Sequence, residues 1–292
     1  MKIAQLMLAK NFGGAERFFV DLCLELSKDT EILAIVSTNS FSFEKLQNVQ
    51  NIELRTVPSI NNWDLRTYYF LLKLCLQYKP SIVQCHLARA SLVGGLVAKL
   101  LSIPTIAKTH NLVNLKYYKY ISKIVVTTES QKAHVMLQGR SINNVVKIPN
   151  FSKLNCFDRK YESMSNGDNF LLISLGRFVY KKGFDILLEA ISLLRRRGKN
   201  VQLKLAGDGP EKDKLKQLCL DFNIEDIVDF VDWVDNIEEY LKQGDIFVLP
   251  SREEPFGIVL LEAMAMGIPI AASRTQGPLE ILDNSTGLFF EK

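Results

Sequence analysis

The residue that most constrains the chemistry of this chain is Glu262. It lies within Ile258–Met266 (IVLLEAMAM), a stretch otherwise apolar all round, and that pattern predicts a helix buried on most of its faces. At helical spacing Glu262 shares a face with Ile258 and Ala265. A carboxylate taken out of water without donors is costly. A core salt bridge to Arg252 or Arg274 would supply them; so would a ligand rich in hydroxyls, such as a ribose. Glu254 stands in Ser251–Gly257 (SREEPFG), after an apolar run and Pro250, where binding loops belong. A carboxylate near a helix N-terminus is favourable in any case, so a surface first-turn glutamate is the alternative reading. Arg177, Lys181 and Lys182 follow Leu171–Leu175 and open the next helical pattern. Cations there oppose the helix macrodipole at a cost of roughly 0.3–1 kcal/mol each, which Asp185 offsets once. A pyrophosphate would explain them; a solvated basic turn is the alternative.

Further candidates sit at strand-to-helix turns. Gly13-Gly14 would let the backbone approach a ligand, although it is not the G-x-G-x-x-G fingerprint. Gly207-Asp208-Gly209-Pro210 is as weak a signal alone, with Pro210 placed for the first position of a helix. His110 follows Thr105–Thr109 and should point into a cleft, and His86 ends another strand in the same way. His134 falls on a polar helical pattern and reads as surface. No Asp-x-Asp, H-E-x-x-H or phosphate-binding G-x-x-x-x-G-K-[ST] occurs, and no His/Cys cluster has ligand spacing. Metal-anchored binding and ATP hydrolysis lose ground.

The elements that must position these residues follow one grammar: apolar run, Gly-containing turn, helical pattern. Strands are predicted at Ile3–Leu8, Ile32–Ser37, Ile82–Cys85, Thr105–Thr109, Ile124–Thr127 and Val145–Ile148, with helices at Ala15–Ser27, Asp64–Tyr78 and around Ser91–Leu101. The polar, aperiodic stretch 151–169 reads as a linker. The grammar then restarts with strands at Leu171–Leu175, Val201–Leu205, Asp245–Leu249, Ile270–Ser273 and Leu288–Phe290, and helices at Phe184–Arg196 and Gly257–Met266, the latter closed by Gly267. The fold class expected is α/β: two Rossmann-like, doubly wound parallel-sheet domains facing a cleft, residues 1–150 and 170–292. The second ends without the helix that should cover its last strand.

Bulk composition sets the remaining bounds. The 292 residues suffice for two domains, and 47% hydrophobic with 23% charged residues is ordinary for a globular protein. A net charge of +4 is too mild to argue for nucleic acid. Five scattered cysteines without C-x-x-C spacing fit a reducing compartment. The N-terminal apolar run, broken by Gln5 and Lys10, reads as a strand rather than a signal peptide, and no span long enough to cross a membrane is present.

Together these residues resemble the family-four retaining glycosyltransferases of the GT-B fold. Gly176-Arg177 with Lys182-Gly183 resembles the family's pyrophosphate turn, and Gly207-Asp-Gly209-Pro210 its second glycine turn. Pro250-Ser251, Glu254-Pro-Phe-Gly257 and Leu261-Glu262-Ala-Met264 resemble its paired-glutamate motif, followed by Gly267-Ile-Pro269 and Gly277-Pro278 with Glu280. The N-terminal match is thinner: Gly13-Gly14-Ala-Glu16-Arg17, His86 and Thr109-His110.

The resemblance implies that Glu262 holds ribose hydroxyls, Arg177 and Lys182 hold the diphosphate and stabilise its charge, and Glu254 with the backbone at Phe256 and Gly257 holds the donor sugar. It implies that His110 contacts that sugar from the opposite domain, that transfer is retaining, and that neither metal nor cofactor is needed, the donor being a UDP- or GDP-sugar. Two departures stand out: Pro149-Asn150-Phe151 replaces the usual Pro-Asn-Gly, and family members continue past the equivalent of Lys292 with further helices.

The function expected is transfer of a hexose-type sugar to a cell-envelope saccharide or lipid-linked acceptor, such as a lipopolysaccharide. A truncated, weak or inactive nucleotide-sugar-binding homologue is the alternative reading, and an epimerase or phosphorylase is disfavoured by the glutamate spacing. A cytoplasmic location is expected, with no nucleic-acid partner. Lys116, Lys119 and Lys123 with Tyr117, Tyr118 and Tyr120 could bring the chain to the inner face of an anionic membrane, and a solvated basic helix competes with that reading.

Overall fold

A computed structural model describes residues 1–9, 13–38, 40–62, 64–153 and 169–291. The chain divides into two compact units, 1–150 and 151–292. Most of the expected linker, with Cys156, lies outside the described residues.

Unit 1 contains β1 (Lys2–Met7), α1 (Gly14–Leu26), β2 (Glu31–Ser37), α2 (Phe41–Leu46), β3 (Ile52–Val57), α3 (Leu65–Tyr78), β4 (Ile82–His86), α4 (Leu87–Leu100), β5 (Thr105–Lys108), β6 (Lys123–Val126), α5 (Glu129–Leu137) and β7 (Val145–Lys147). The seven strands form one parallel sheet in the order β3-β2-β1-β4-β5-β6-β7. Helices cover both faces, so β1 and β2 read as continuous apolar runs rather than alternating ones. One core joins the sheet to α3, α4 and α5, and a second joins it to α1 and α2.

Unit 2 repeats the design with β8 (Asn169–Leu175), α6 (Phe184–Arg196), β9 (Asn200–Ala206), α7 (Lys212–Phe222), β10 (Val228–Val231), α8 (Ile237–Lys242), β11 (Ile246–Leu249), α9 (Ile258–Ala265), β12 (Ile270–Ser273), α10 (Gln276–Ile281) and β13 (Leu288–Phe290). Its parallel sheet runs β10-β9-β8-β11-β12-β13. The helix α6 shows why the sequence folds so: Phe184, Leu187, Leu188 and Ile191 recur at helical spacing and are buried. Arg195 and Arg196 sit in its last turn, where the macrodipole favours cations.

The strand order reverses between β1 and β4 in one sheet and between β8 and β11 in the other. Open α/β sheets bind ligands beyond the carboxyl ends of strands at such a point. Both switch points therefore become candidate sites, each within its own unit. Pro210 departs from its expectation: α7 begins at Lys212 with Glu211 as its cap, so Pro210 belongs to the preceding turn. Glu211 instead donates its amide to the Phe178 carbonyl at 3.1 Å, which ties the turn to the segment after β8.

Candidate functional site

At the switch point of unit 2 the turn after β8 and the loop after β11 are laced together. From β8 the chain passes Gly176 and Arg177, makes one 3-10 turn at Tyr180–Lys182, and enters α6 through Gly183. Gly183 stands at φ +65°, and a Cβ there would collide with the Pro250 carbonyl. Only glycine allows this turn to lie so close to the next loop. The Arg252 and Glu253 amides donate to the Lys181 carbonyl at 2.8 and 3.1 Å. Arg252 also forks onto Asp185 through bonds of 2.6 and 2.7 Å, and that contact holds the Asp185 carboxyl below its usual range. The loop is thus fixed by the protein's own contacts, as a preorganised site requires.

Inside this frame lies Glu254, 7% exposed. Lys182 Nζ donates to its Oε2 at 2.5 Å, and the Ser251 hydroxyl donates to the same oxygen at 3.2 Å. The Glu254 carbonyl accepts from the Gly277 amide at 2.8 Å. Lys181 pairs with Glu253 on the exposed side. Two of the three cations expected to await an anion are therefore already matched by carboxylates. Among the described residues Arg177 has no such ion pair, and its side chain is exposed. Glu262 is 1% exposed, on α9. Of the two arginines weighed as its core partners, Arg252 is engaged by Asp185 and Arg274 lies 3.4 Å from Glu291.

Phe256 is buried and Gly257 caps α9. Gly207 follows β9 at φ +142°, where a Cβ would strike the Gly176 carbonyl. Its place is to let one turn pack on another. Arg177, Lys182, Glu254, Phe256, Gly257 and Glu262 accordingly follow the carboxyl ends of β8 and β11, and Gly207 supports them from the side.

The switch point of unit 1 has the opposite character. His86, the last residue of β4, is fully buried, and Leu87 turns the chain straight into α4 at φ +66°. A branched side chain is rarely held there, and such strain persists only where packing overrides it. His86 Nδ1 lies 3.3 Å from His110 Nε2, and its Nε2 lies 3.0 Å from Gln5 Oε1. Gln5 in turn donates its amide to Gln84 Oε1 at 3.2 Å. Phe18 and Phe19 wall the imidazoles edge-on at 5.5 and 5.2 Å.

Burial lowers the pKa of both histidines, with the neighbouring charges adding to it: His86 falls well below its ordinary value and His110 falls to about 3. Both are neutral near pH 7. With Gln5 Oε1 as acceptor, His86 carries its proton on Nε2. Its Nδ1 then accepts from His110 Nε2–H, which leaves a lone pair on His110 Nδ1. Lys108 is 2% exposed, hydrogen-bonds the Ile148 carbonyl, and is lowered to about 8 by burial.

Gly13 and Gly14 stand in the first turn of this unit, beside residues outside the description. Gly13 has an extended backbone that any residue adopts, and a Cβ on Gly14 would meet open space. A Cβ on Gly13 would sit 3.2 Å from Glu16 Oε2, the end of a flexible side chain, so Gly14 leaves room and Gly13 only a tight fit. His134 is half-buried, with Nε2 2.9 Å from the Val113 carbonyl, so it is tied to the fold rather than purely superficial.

The sequence assigned no role to Gln5, Gln84 or Lys108, and it placed Ser251 in its motif without the hydrogen bond to Glu254. Gln5 carried a signal, since a lone amide in the apolar run KIAQLM must find hydrogen bonds when buried. Lys108 carried none, because its partner carbonyl lies 40 residues away.

Comparison with known proteins places these two halves. Residues 12–151 match the family model described as Glycosyltransferase Family 4, and residues 158–292 match the model described as Glycosyl transferases group 1. The lipopolysaccharide core biosynthesis glycosyltransferase LpsD of Rhizobium meliloti is 28% identical over 94% of this chain and 79% of its own. LpsE of the same organism is 29% identical over 100% of this chain and 84% of its own. Among solved structures, Anabaena Alr3699/HepE in complex with UDP and glucose superimposes with a TM-score of 0.84 at 19% identity, covering 100% of this chain and 86% of that one. That likeness shows the GT-B fold. With one family model on each unit, the chain belongs to the family-four, group 1 glycosyltransferases.

Proposed function

We propose that this glycosyltransferase moves a hexose-type sugar, with retention and without a metal, from a UDP- or GDP-sugar to a cell-envelope saccharide or lipid-linked acceptor. The observation that carries the reading is the ion pair of buried Glu254 with Lys182 at the start of α6, beside the exposed Arg177. In transfer the bond from the anomeric carbon to the phosphate oxygen breaks, and the leaving diphosphate takes the electron pair. An acceptor hydroxyl oxygen forms the new bond, and its proton passes to the departing diphosphate. Charge on the diphosphate is then met by Arg177, Lys182 and the N-terminus of α6, which together supply what a divalent cation supplies elsewhere. Glu254, its carboxylate already held by Lys182 and Ser251, accepts from hydroxyls of the donor sugar, and Glu262 takes the ribose. Neutral His110 offers its Nδ1 lone pair to a hydroxyl of the donor sugar.

The UDP and glucose held by Alr3699/HepE favour a UDP-type donor. LpsD and LpsE, named for lipopolysaccharide core biosynthesis, favour an envelope saccharide acceptor. We place the reaction on the cytoplasmic side, where nucleotide sugars are made, with peripheral membrane contact through the exposed Lys116, Lys119 and Lys123.

The test offers the purified chain a panel of UDP-, GDP- and ADP-sugars and follows free nucleoside diphosphate, with Arg177→Ala as control. Slow release from one UDP-sugar, reduced at least tenfold in the variant, is expected. Saturable donor binding with no release, even with envelope extracts added, contradicts the enzymatic reading.

A further inference from the structure

Charge is distributed unevenly along this chain. Residues 1–150 hold 18 Lys and Arg against 9 Asp and Glu, and residues 151–292 hold 18 against 23. Within unit 1 the imbalance concentrates further. From Leu65 to Thr128 there are nine Lys and Arg and no Asp or Glu. Those residues build α3, α4 and the 3-10 turn Leu115–Tyr118, which pack on one face of the sheet and share a single core. The opposite face, α1 and α2, carries the acidic residues Glu16, Asp21, Glu25 and Glu44. Six lysines of the acid-free stretch are exposed: Lys73, Lys79, Lys99, Lys116, Lys119 and Lys123.

Large apolar side chains stand among these cations. On α3, Leu65 is 79% exposed, Tyr69 63% and Leu76 55%, with Phe70 at 42%; Leu100 at the end of α4 is 70% exposed. Tyr69 and Phe70 meet edge to face with centroids 5.5 Å apart. Lys99 and Lys119 lie over the Tyr120 ring at 5.3 and 5.6 Å, and Lys116 over Tyr117 at 4.9 Å. A solvated helix face does not need leucines and aromatics at these positions. Apart from Arg66, which Asp64 pairs at the N-cap of α3, the surface is cationic, and its aromatic and aliphatic side chains match an interface of anionic headgroups over hydrocarbon, where aromatic rings and long aliphatic-stemmed lysines settle together.

We infer that the outer face of α3, with the end of α4 and the segment 115–123, docks the protein on an anionic lipid bilayer. The inference specifies the peripheral contact proposed above and rests on that part of the reading alone, not on donor chemistry. Like charge on both partners disfavours a second copy of the chain against this face. A polyanion such as a nucleic acid would match the lysines but leave Leu65, Tyr69, Leu76 and Leu100 without a role.

The experiment is sedimentation of the full chain with vesicles of phosphatidylcholine alone or mixed with phosphatidylglycerol, at low and high salt. The protein is expected to pellet with the mixed vesicles and to stay in solution with the neutral ones. Lys73→Glu/Lys116→Glu/Lys119→Glu should lower partitioning about a hundredfold or more, since each lysine near an anionic surface contributes ~1 kcal/mol. Tyr69→Ser/Phe70→Ser should lower it about tenfold through lost apolar burial. Lys214→Glu/Lys216→Glu in unit 2 should leave it unchanged, and matching melting temperatures should show that every variant is folded.

The inference is overturned if the parent fails to bind mixed vesicles, if either unit 1 variant binds as the parent does, or if the unit 2 variant loses binding equally. It is also overturned if the parent dimerises without lipid and Tyr69→Ser/Phe70→Ser abolishes that dimer. Donor release is read separately, so a failure here leaves the transferase reading standing, and loss of release without loss of binding does the reverse.

Discussion

The two switch points solve opposite electrostatic problems. In unit 2, charge is kept and paired: Lys182 with Glu254, Arg252 with Asp185, Lys181 with Glu253. In unit 1, charge is removed: His86 and His110 are buried, walled by phenyl rings and neutral, and Lys108 is pushed towards neutrality. On the proposed reading the paired cations of unit 2 suit a diphosphate and the neutral imidazoles of unit 1 suit a hydroxyl donor. The difference arises because a strand-to-helix corner can be closed by a glycine turn bearing ion pairs or by a tight turn beside buried imidazoles.

The largest consequence concerns Lys108. Its folded pKa of about 8 lies below the ordinary 10.5, so the unfolded chain binds more protons between those values. Stability contributed by this group therefore rises as pH goes from about 8 to 10.5, by up to ~3 kcal/mol. Denaturant titrations at both ends of the window should show that rise in the parent and a smaller one in Lys108→Met. Equal rises would show that Lys108 is not the buried charge unit 1 is built to shed.

Next in size is a glycine contrast. Gly183→Ala puts a side chain at φ +65° and into the Pro250 carbonyl, which should cost ~1–3 kcal/mol or more and weaken donor binding. Gly14→Ala, at the corresponding turn of unit 1, meets open space and should stay within about 0.5 kcal/mol. Melting temperatures decide it, and a reversal would mean that the two turns have been assigned the wrong roles.

The smallest effect belongs to Gln5. Gln5→Leu removes the acceptor that sets the His86 tautomer, and should cut donor release about tenfold, with Gln5→Glu restoring most of it. Nitrogen-15 shifts of His110 should report a neutral ring through pH 5–8, against its ordinary 6.5. A titration near 6.5 would break the contrast between the units.

Much of this was legible in the sequence, and what was not has physical causes. The helix α6 and the strand β12 have the bounds their patterns predicted, Phe184–Arg196 and Ile270–Ser273, since a strong 3.6 period or a buried apolar run leaves little choice. The edge strands β3 and β10 escaped notice because their exposed sides admit Glu53, Arg55 and Asp229, which hide the apolar run. The helices α2, α8 and α10 span six residues each, too few to show a period. Glu254 and Lys182 were each singled out, but their pairing was not, because 72 residues separate them. The Gln5–His86–His110 chain failed for the same reason, with partners 81 and 24 residues apart.

The central claim is that Lys182 and Glu254 act as one unit at the donor site. A double-mutant cycle on donor release tests it most directly. Lys182→Ala and Glu254→Ala should each lower the rate by ~10²–10³, and the double variant should be little worse than the poorer single one, as for residues that work as a unit. Single variants that release at the parent rate, or losses that multiply in the double variant, would contradict the account.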